Sequence, residues 1–135
     1  MDLAAERENT EADLDVDDVA DELVYPTVVA FVEEHLAPMY ARKIDAGGRG
    51  TTMTWCAQWW RHPEAVSRLT GLWKAWESLR KDPTTGLAVW WRDYADPMMR
   101  VLLEMHGPFD GCGPREHSPR VAPLATVPPP PGLFD

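Results

Sequence analysis

The sequence predicts a small all-α domain, and three observations lead there. Val66, Leu69, Leu72, Trp73, Trp76 and Leu79 recur three and four residues apart, the spacing that lines one face of a helix. Start and stop residues bracket that stripe: Pro63 suits a first helical position, where its missing N–H costs nothing, and Asp82-Pro83 closes the run. No convincing stretch alternates apolar and polar residues with period two, as a half-buried strand would. A chain of 135 residues has room for a single domain. Four to six short helices around one Trp- and Leu-rich core are therefore expected.

Each element can be justified in order. Residues 1–23 read as an acidic, disordered arm, highly charged and without aromatic residues. The ordered body is expected over 24–112. Its first helix starts after Pro26 with Thr27 as cap, and Val28, Phe31, Val32 and Leu36 form its apolar face. Pro38 predicts a kink or break at Ala37, with a second short stretch led by Met39 and Tyr40. Ala46-Gly47-Gly48-Arg49-Gly50 is a connector. The main helix follows from Pro63, and Glu64–Arg68 and Glu77–Lys81 are spaced as i, i+4 ion pairs along it. Leu87, Trp90, Trp91 and Tyr94 predict another short helix, and Asp96-Pro97 predicts the start of a last one through Met98, Val101, Leu102 and Met105. Residues 113–135 read as a flexible, proline-rich tail that favours polyproline II and ends on an apolar tip.

The net charge of -9 belongs to the arm. Residues 1–23 hold ten acidic residues and one basic residue, so the remainder is neutral, with twelve of each. A neutral body without a basic stripe disfavours nucleic acid held by charge. No apolar run is long enough to cross a membrane, and no basic, apolar leader opens the chain, so a cytoplasmic protein without membrane contact is expected. Two cysteines in that compartment are expected as free thiols.

Four spaced motifs organise the body: Trp55-Cys56-Ala57-Gln58-Trp59-Trp60-Arg61-His62-Pro63-Glu64-Ala65, Leu72-Trp73-Lys74-Ala75-Trp76-Glu77, Trp90-Trp91-Arg92-Asp93 and Gly107-Pro108-Phe109-Asp110-Gly111-Cys112. Together they resemble an actinobacterial family of unknown function with the patterns W-C-x-x-W-W-x-H-P-E-A, L-W-x-A-W-E, W-W-R-D and G-P-F-x-x-C. The resemblance runs from about Tyr25 to Cys112. It implies a setting on plasmids, integrative elements and phages, near genes for conjugative DNA transfer, and assigns no chemistry. Tyr94 and Met98 stand where the family pattern has histidine, so no metal role is carried over to them.

Cys56, His62, His106 and Cys112 are the residues whose types suit a metal, with mirrored spacings C-x5-H and H-x5-C. Zinc on these four is the alternative to a protein without a cofactor, in which Cys56 is a buried small hydrophobe and His62 precedes a helix. A Cys56 nucleophile with His62 as base is a further alternative. The two share a face only if a turn intervenes, and no nucleophile signature surrounds them.

Seven tryptophans are many for this length, and most should fill the core. Within each adjacent pair, Trp59-Trp60 and Trp90-Trp91, the side chains point apart, so one of each pair is a candidate contact surface. The reading that follows is a non-enzymatic protein-interaction or accessory protein of a mobile element, binding a protein partner. A zinc-stabilised, nucleic-acid-associated module and a thiol enzyme are the alternatives.

Overall fold

A computed structural model describes residues 22–44 and 52–135. Residues 1–21 of the arm expected over 1–23, and the whole of the glycine connector 46–50, lie outside the described residues. Among those described, the structure is helical. Helix α1 runs through Val28–Phe31, Val32–Leu36 and Ala37–Met39, helix α2 spans Pro63–Leu79, and helix α3 runs through Gly86–Val89, Trp90–Ala95 and Asp96–Leu103. A single 3-10 turn, Trp59–Arg61, precedes α2. Among the described residues, no helix is long and apolar enough to cross a membrane.

The helices are fewer and longer than the prolines suggest. In α1 the turn Val32–Leu36 is π-helical, and the Ala37 N–H reaches back to the Val32 carbonyl. In α3 the turn Trp90–Ala95 is π-helical, and the Asp96 N–H reaches the Trp91 carbonyl. Each wide turn ends two residues before a proline, Pro38 or Pro97. A proline inside a helix removes one donor and presses its ring on the carbonyl four residues back. Widening the preceding turn to an i→i−5 bond relieves that pressure without ending the helix. Asp96 is accordingly α-helical rather than a cap, and no second stretch follows Met39.

The described residues divide into two compact units, 22–42 with Ser67–Met98, and 43–44 and 52–66 with Met99–Asp135. The first unit is built on aromatic rings. Phe31 and Trp90 are fully buried and meet edge to face at 6.3 Å, and Phe31 lies 5.8 Å from Trp76. The buried Trp90 indole donates to the Leu72 carbonyl at 3.0 Å, satisfying the one polar atom it brings inside. Leu87 and Tyr94, expected on the same face as Trp90, are exposed.

The chain entering α1 is held by Glu77. Its carboxylate accepts from the Val24 N–H at 3.0 Å and the Tyr25 N–H at 2.8 Å, and from Arg80 Nε at 3.0 Å. The Trp73 indole adds a bond to the Tyr25 carbonyl at 3.0 Å. The expected Glu77–Lys81 pair is therefore replaced: Glu77 is turned inward, and Lys81 meets Glu22 at 3.1 Å. Thr27 caps α1 as expected, accepting from the Ala30 N–H at 3.1 Å.

Gly86 marks a close approach. A Cβ there would sit 1.8 Å from the Leu79 carbonyl oxygen at the end of α2. By contrast, nothing lies within 4 Å of a Cβ on Gly71, in the middle of α2. Gly71→Ala should raise stability by about 0.5–1 kcal/mol through helix propensity. Gly86→Ala should instead lower it by about 1–3 kcal/mol, because backbone must move. Equal effects in urea denaturation would refute this reading of the contact.

Burial works against ionisation of Glu77, but the Tyr25 and Val24 N–H groups and Arg80 outweigh it and hold the carboxyl below its ordinary value of 4.5. A carboxylate with a lowered folded pKa stabilises the fold above its unfolded pKa and loses that contribution as pH falls through the folded value. Glu77→Gln should cost about 1.5–3 kcal/mol at pH 7, the range for hydrogen bonds to a charged group. The gap from the parent chain should narrow below about pH 4.5 in denaturation midpoints measured from pH 7 to pH 3.

Candidate metal centre

The second unit brings together residues that the sequence keeps far apart. Thr54 anchors the incoming strand-like segment, its N–H donating to the Leu103 carbonyl at 2.9 Å and its hydroxyl to the Glu104 carbonyl at 3.0 Å. Cys56 follows, and the 3-10 turn Trp59–Arg61 then folds the chain back. His62 caps that turn through its N–H to the Trp59 carbonyl at 3.0 Å, and its own carbonyl accepts from Val66 at 3.0 Å in the first turn of α2. The intervening turn needed to bring Cys56 and His62 to one face is thus present.

The second pair comes from the loop after α3. Asp110 donates to the Gly107 carbonyl at 3.1 Å and Cys112 to the Phe109 carbonyl at 2.9 Å, two tight turns that face Cys112 inward. Gly111 has a positive φ of 93°, and a Cβ there would lie 2.4 Å from the Ser118 carbonyl oxygen. That space is what lets the chain double back. The return is fixed by Ser118 Oγ to the Gly111 carbonyl at 2.8 Å, the Arg120 N–H to the Asp110 carbonyl at 2.8 Å, and the Gly113 N–H to the Glu116 carbonyl at 2.9 Å. The doubled loop carries His117 to Cys112.

Cys56 Sγ, Cys112 Sγ and one ring nitrogen each of His62 and His117 all lie within 4.8 Å of one another. Cys56 Sγ is 3.4 Å from His117 Nδ1, and Cys112 Sγ is 3.7 Å from His62 Nε2 and 3.8 Å from His117 Nδ1. A zinc tetrahedron with bonds of about 2.0–2.3 Å has edges of about 3.3–3.8 Å, so these separations already match it. Both sulfurs are buried, as is His62, while His117 is half-buried and forms the outer wall.

The His62 ring is oriented from behind. Its Nε2 faces Cys112, and the ring also hydrogen-bonds the backbone of Pro108, which has only a carbonyl to offer. A proton on Nδ1 toward that carbonyl would leave the Nε2 lone pair facing the cluster, the arrangement of metal-ligating histidines. Phe109, fully buried, meets the same ring edge to face at 4.8 Å and packs on Trp55 at 5.1 Å.

Burial pushes the Cys56 thiol up to about 11, and Cys112 adds to that, against the pull of the Gln58 backbone N–H. Burial and the neighbouring His117 lower the pKa of His62, opposed by the Pro108 carbonyl. Two imidazoles and two buried cysteines surround a point where a divalent cation would draw both sulfurs into their ligand form.

Three of the four sequence candidates, Cys56, His62 and Cys112, belong to the cluster. His106 does not. Its side chain is exposed and lies 3.6 Å from Asp110, so the fourth member of the cluster is His117, five residues after Cys112. The expected boundary at Cys112 falls inside the site, because 113–120 are tied to the loop before them. A signal existed in the second close Cys–His spacing, C-x4-H, but the prolines around His117 gave the segment the composition of a tail. Both cysteines are free thiols, as expected.

The tryptophan candidates separate. Trp59 and Trp90 are buried and are thereby removed from the proposed contact surface. Trp91 is half-buried, covered by the Tyr40 ring at 5.5 Å, whose hydroxyl donates to Asp96 at 2.9 Å. Trp60, in the 3-10 turn beside the cluster, is 58% exposed.

No curated protein and no solved structure matches the chain. A family model does match, over residues 25–131, a span that takes in all three helices and all four ligands of the cluster. The chain belongs to the family described as Domain of unknown function (DUF4913).

Proposed function

We propose that this chain is a non-enzymatic binding module whose second unit is stapled by one structural zinc ion on Cys56, His62, Cys112 and His117. The observation that carries the reading is the convergence of four nitrogen and sulfur ligand atoms within 4.8 Å, from two segments some fifty residues apart. Bound there, zinc would contribute folding energy to a unit short of apolar core. Four protein ligands complete a tetrahedron, and closed sites of this kind are structural, whereas catalytic zinc keeps a position for water or substrate. Full burial of the Cys56 side chain also speaks against a thiol nucleophile, since a substrate has no route to the sulfur.

Binding would then run through what the staple holds in place. Trp60 sits two residues before His62 and presents a large exposed indole on a short, rigid turn. Exposed aromatics held rigidly are favoured anchors for protein partners. An accessory role on a mobile element, serving conjugative DNA transfer, fits such a module and the setting implied by the sequence resemblance.

The purified chain should carry one zinc per molecule by elemental analysis. Chelation should lower its melting temperature by roughly 15 °C, from about 4 kcal/mol of linkage when zinc exceeds Kd a thousandfold. A metal-free chain that melts at the same temperature would overturn the proposal. His117→Ala and Cys112→Ser should lose the metal, while His106→Ala should retain it. Gly111→Ala, which leaves every ligand in place but crowds the returning loop, should weaken zinc by about 10–100-fold, as misoriented ligand shells do. Trp60→Ala should keep both metal and melting temperature while weakening partner binding, and unfolding of that variant would remove Trp60 from the surface.

A further inference from the structure

Residues 121–134 contain no charged side chain, and four consecutive prolines occupy 128–131. Every residue from Val121 to Pro130 is exposed and outside regular secondary structure. None of the backbone hydrogen bonds among the described residues involves 121–129. Exposed extended chain of this composition favours polyproline II, which has three residues per turn and needs no internal hydrogen bonds.

That period gives the segment a face. Val121, Leu124, Val127 and Pro130 follow one another at intervals of three, so in polyproline II they form a single apolar ridge. Leu124 is 92% and Val127 88% exposed, so the ridge is not packed against this chain. Ala122, Ala125 and Pro128 line a second side with small groups, and Pro123, Thr126 and Pro129 a third. The ridge stops at a turn in which the Leu133 N–H meets the Pro130 carbonyl at 3.4 Å and Gly132 takes a positive φ of 85°.

A solvating tail needs neither large aliphatic residues nor their alignment. The family match also extends through residue 131, so the ridge lies within the shared domain rather than beyond it. We infer that residues 121–130 are a polyproline II ligand whose Val121–Leu124–Val127 ridge docks in an aromatic-lined groove of a different protein. The absence of charge favours a groove of Trp and Tyr rings over a phosphate backbone or an anionic surface. A preformed extended segment loses little conformational entropy on docking, which is how a contact this small gains affinity. The inference stands on residues outside the metal cluster and does not depend on Trp60.

The test uses the full chain, expressed in its native host, with a photoactivatable residue at 124 or 127 on the ridge, or at 125 or 126 off it. The ridge positions should cross-link the same protein at least about tenfold more efficiently than the off-ridge positions, on Trp- or Tyr-containing peptides. Leu124→Asp should abolish cross-linking from 127 while leaving zinc content and melting temperature unchanged, since the side chain packs on nothing. Equal yields at all four positions, cross-links to nucleic acid or to a second copy of the chain, or no cross-link at all would each overturn the inference. Zinc content, measured on the same preparations, reports separately on the metal reading.

Discussion

A neutral imidazole has one lone pair to offer, and it serves a cluster only when the ring is held with that nitrogen facing inward. In this chain that condition rests on the contact between His62 and the Pro108 carbonyl. Once the ring is held, Phe109 packs on its face, and the two turns from Gly107 to Cys112 are aimed toward it. Cys112 then lies beside His62, and the loop that doubles back at Gly111 brings His117 to both sulfurs. Each step in the second unit follows from the one before, and the ligand cluster is the outcome.

The first unit uses different means. Its core gathers the Phe31, Trp76 and Trp90 rings with aliphatic residues such as Leu36 and Leu72, and its polar bonds go to places where burial leaves a donor. Trp90 and Trp73 each donate an indole N–H to a backbone carbonyl, and Glu77 collects two backbone N–H groups from the chain entering α1. The glutamate of the L-W-x-A-W-E motif is therefore a buried clamp rather than a surface charge. Those two N–H groups, with Arg80 one turn later, keep the carboxylate ionised there.

Much of this architecture was legible in the residues. The stripe from Val66 to Leu79, the Thr27 cap and the Pro63 start all appear as expected, because local periodicity and capping are decided within a few residues. Pro38 and Pro97 misled, because the cost of a proline depends on whether the preceding turn can widen, and tertiary packing on Phe31 and Trp90 favours the widened turns over a break. The exposed side of each tryptophan pair was also undetermined. Trp60 faces outward from a 3-10 turn and Trp91 lies under Tyr40, and neither follows from adjacency alone.

By itself the sequence determined the helical class and the main helix with its ends, and it offered three of the four residues of the cluster as candidates, since these depend on residue type and near-neighbour spacing. It also determined the three-residue period of the apolar tail. Only the tertiary structure decided that His117 completes the cluster and His106 does not. The physical reason is loop closure: a glycine with positive φ and three hydrogen bonds reverse the chain after Cys112, and a reversal set by contacts across the loop leaves no periodic trace in the residues that make it.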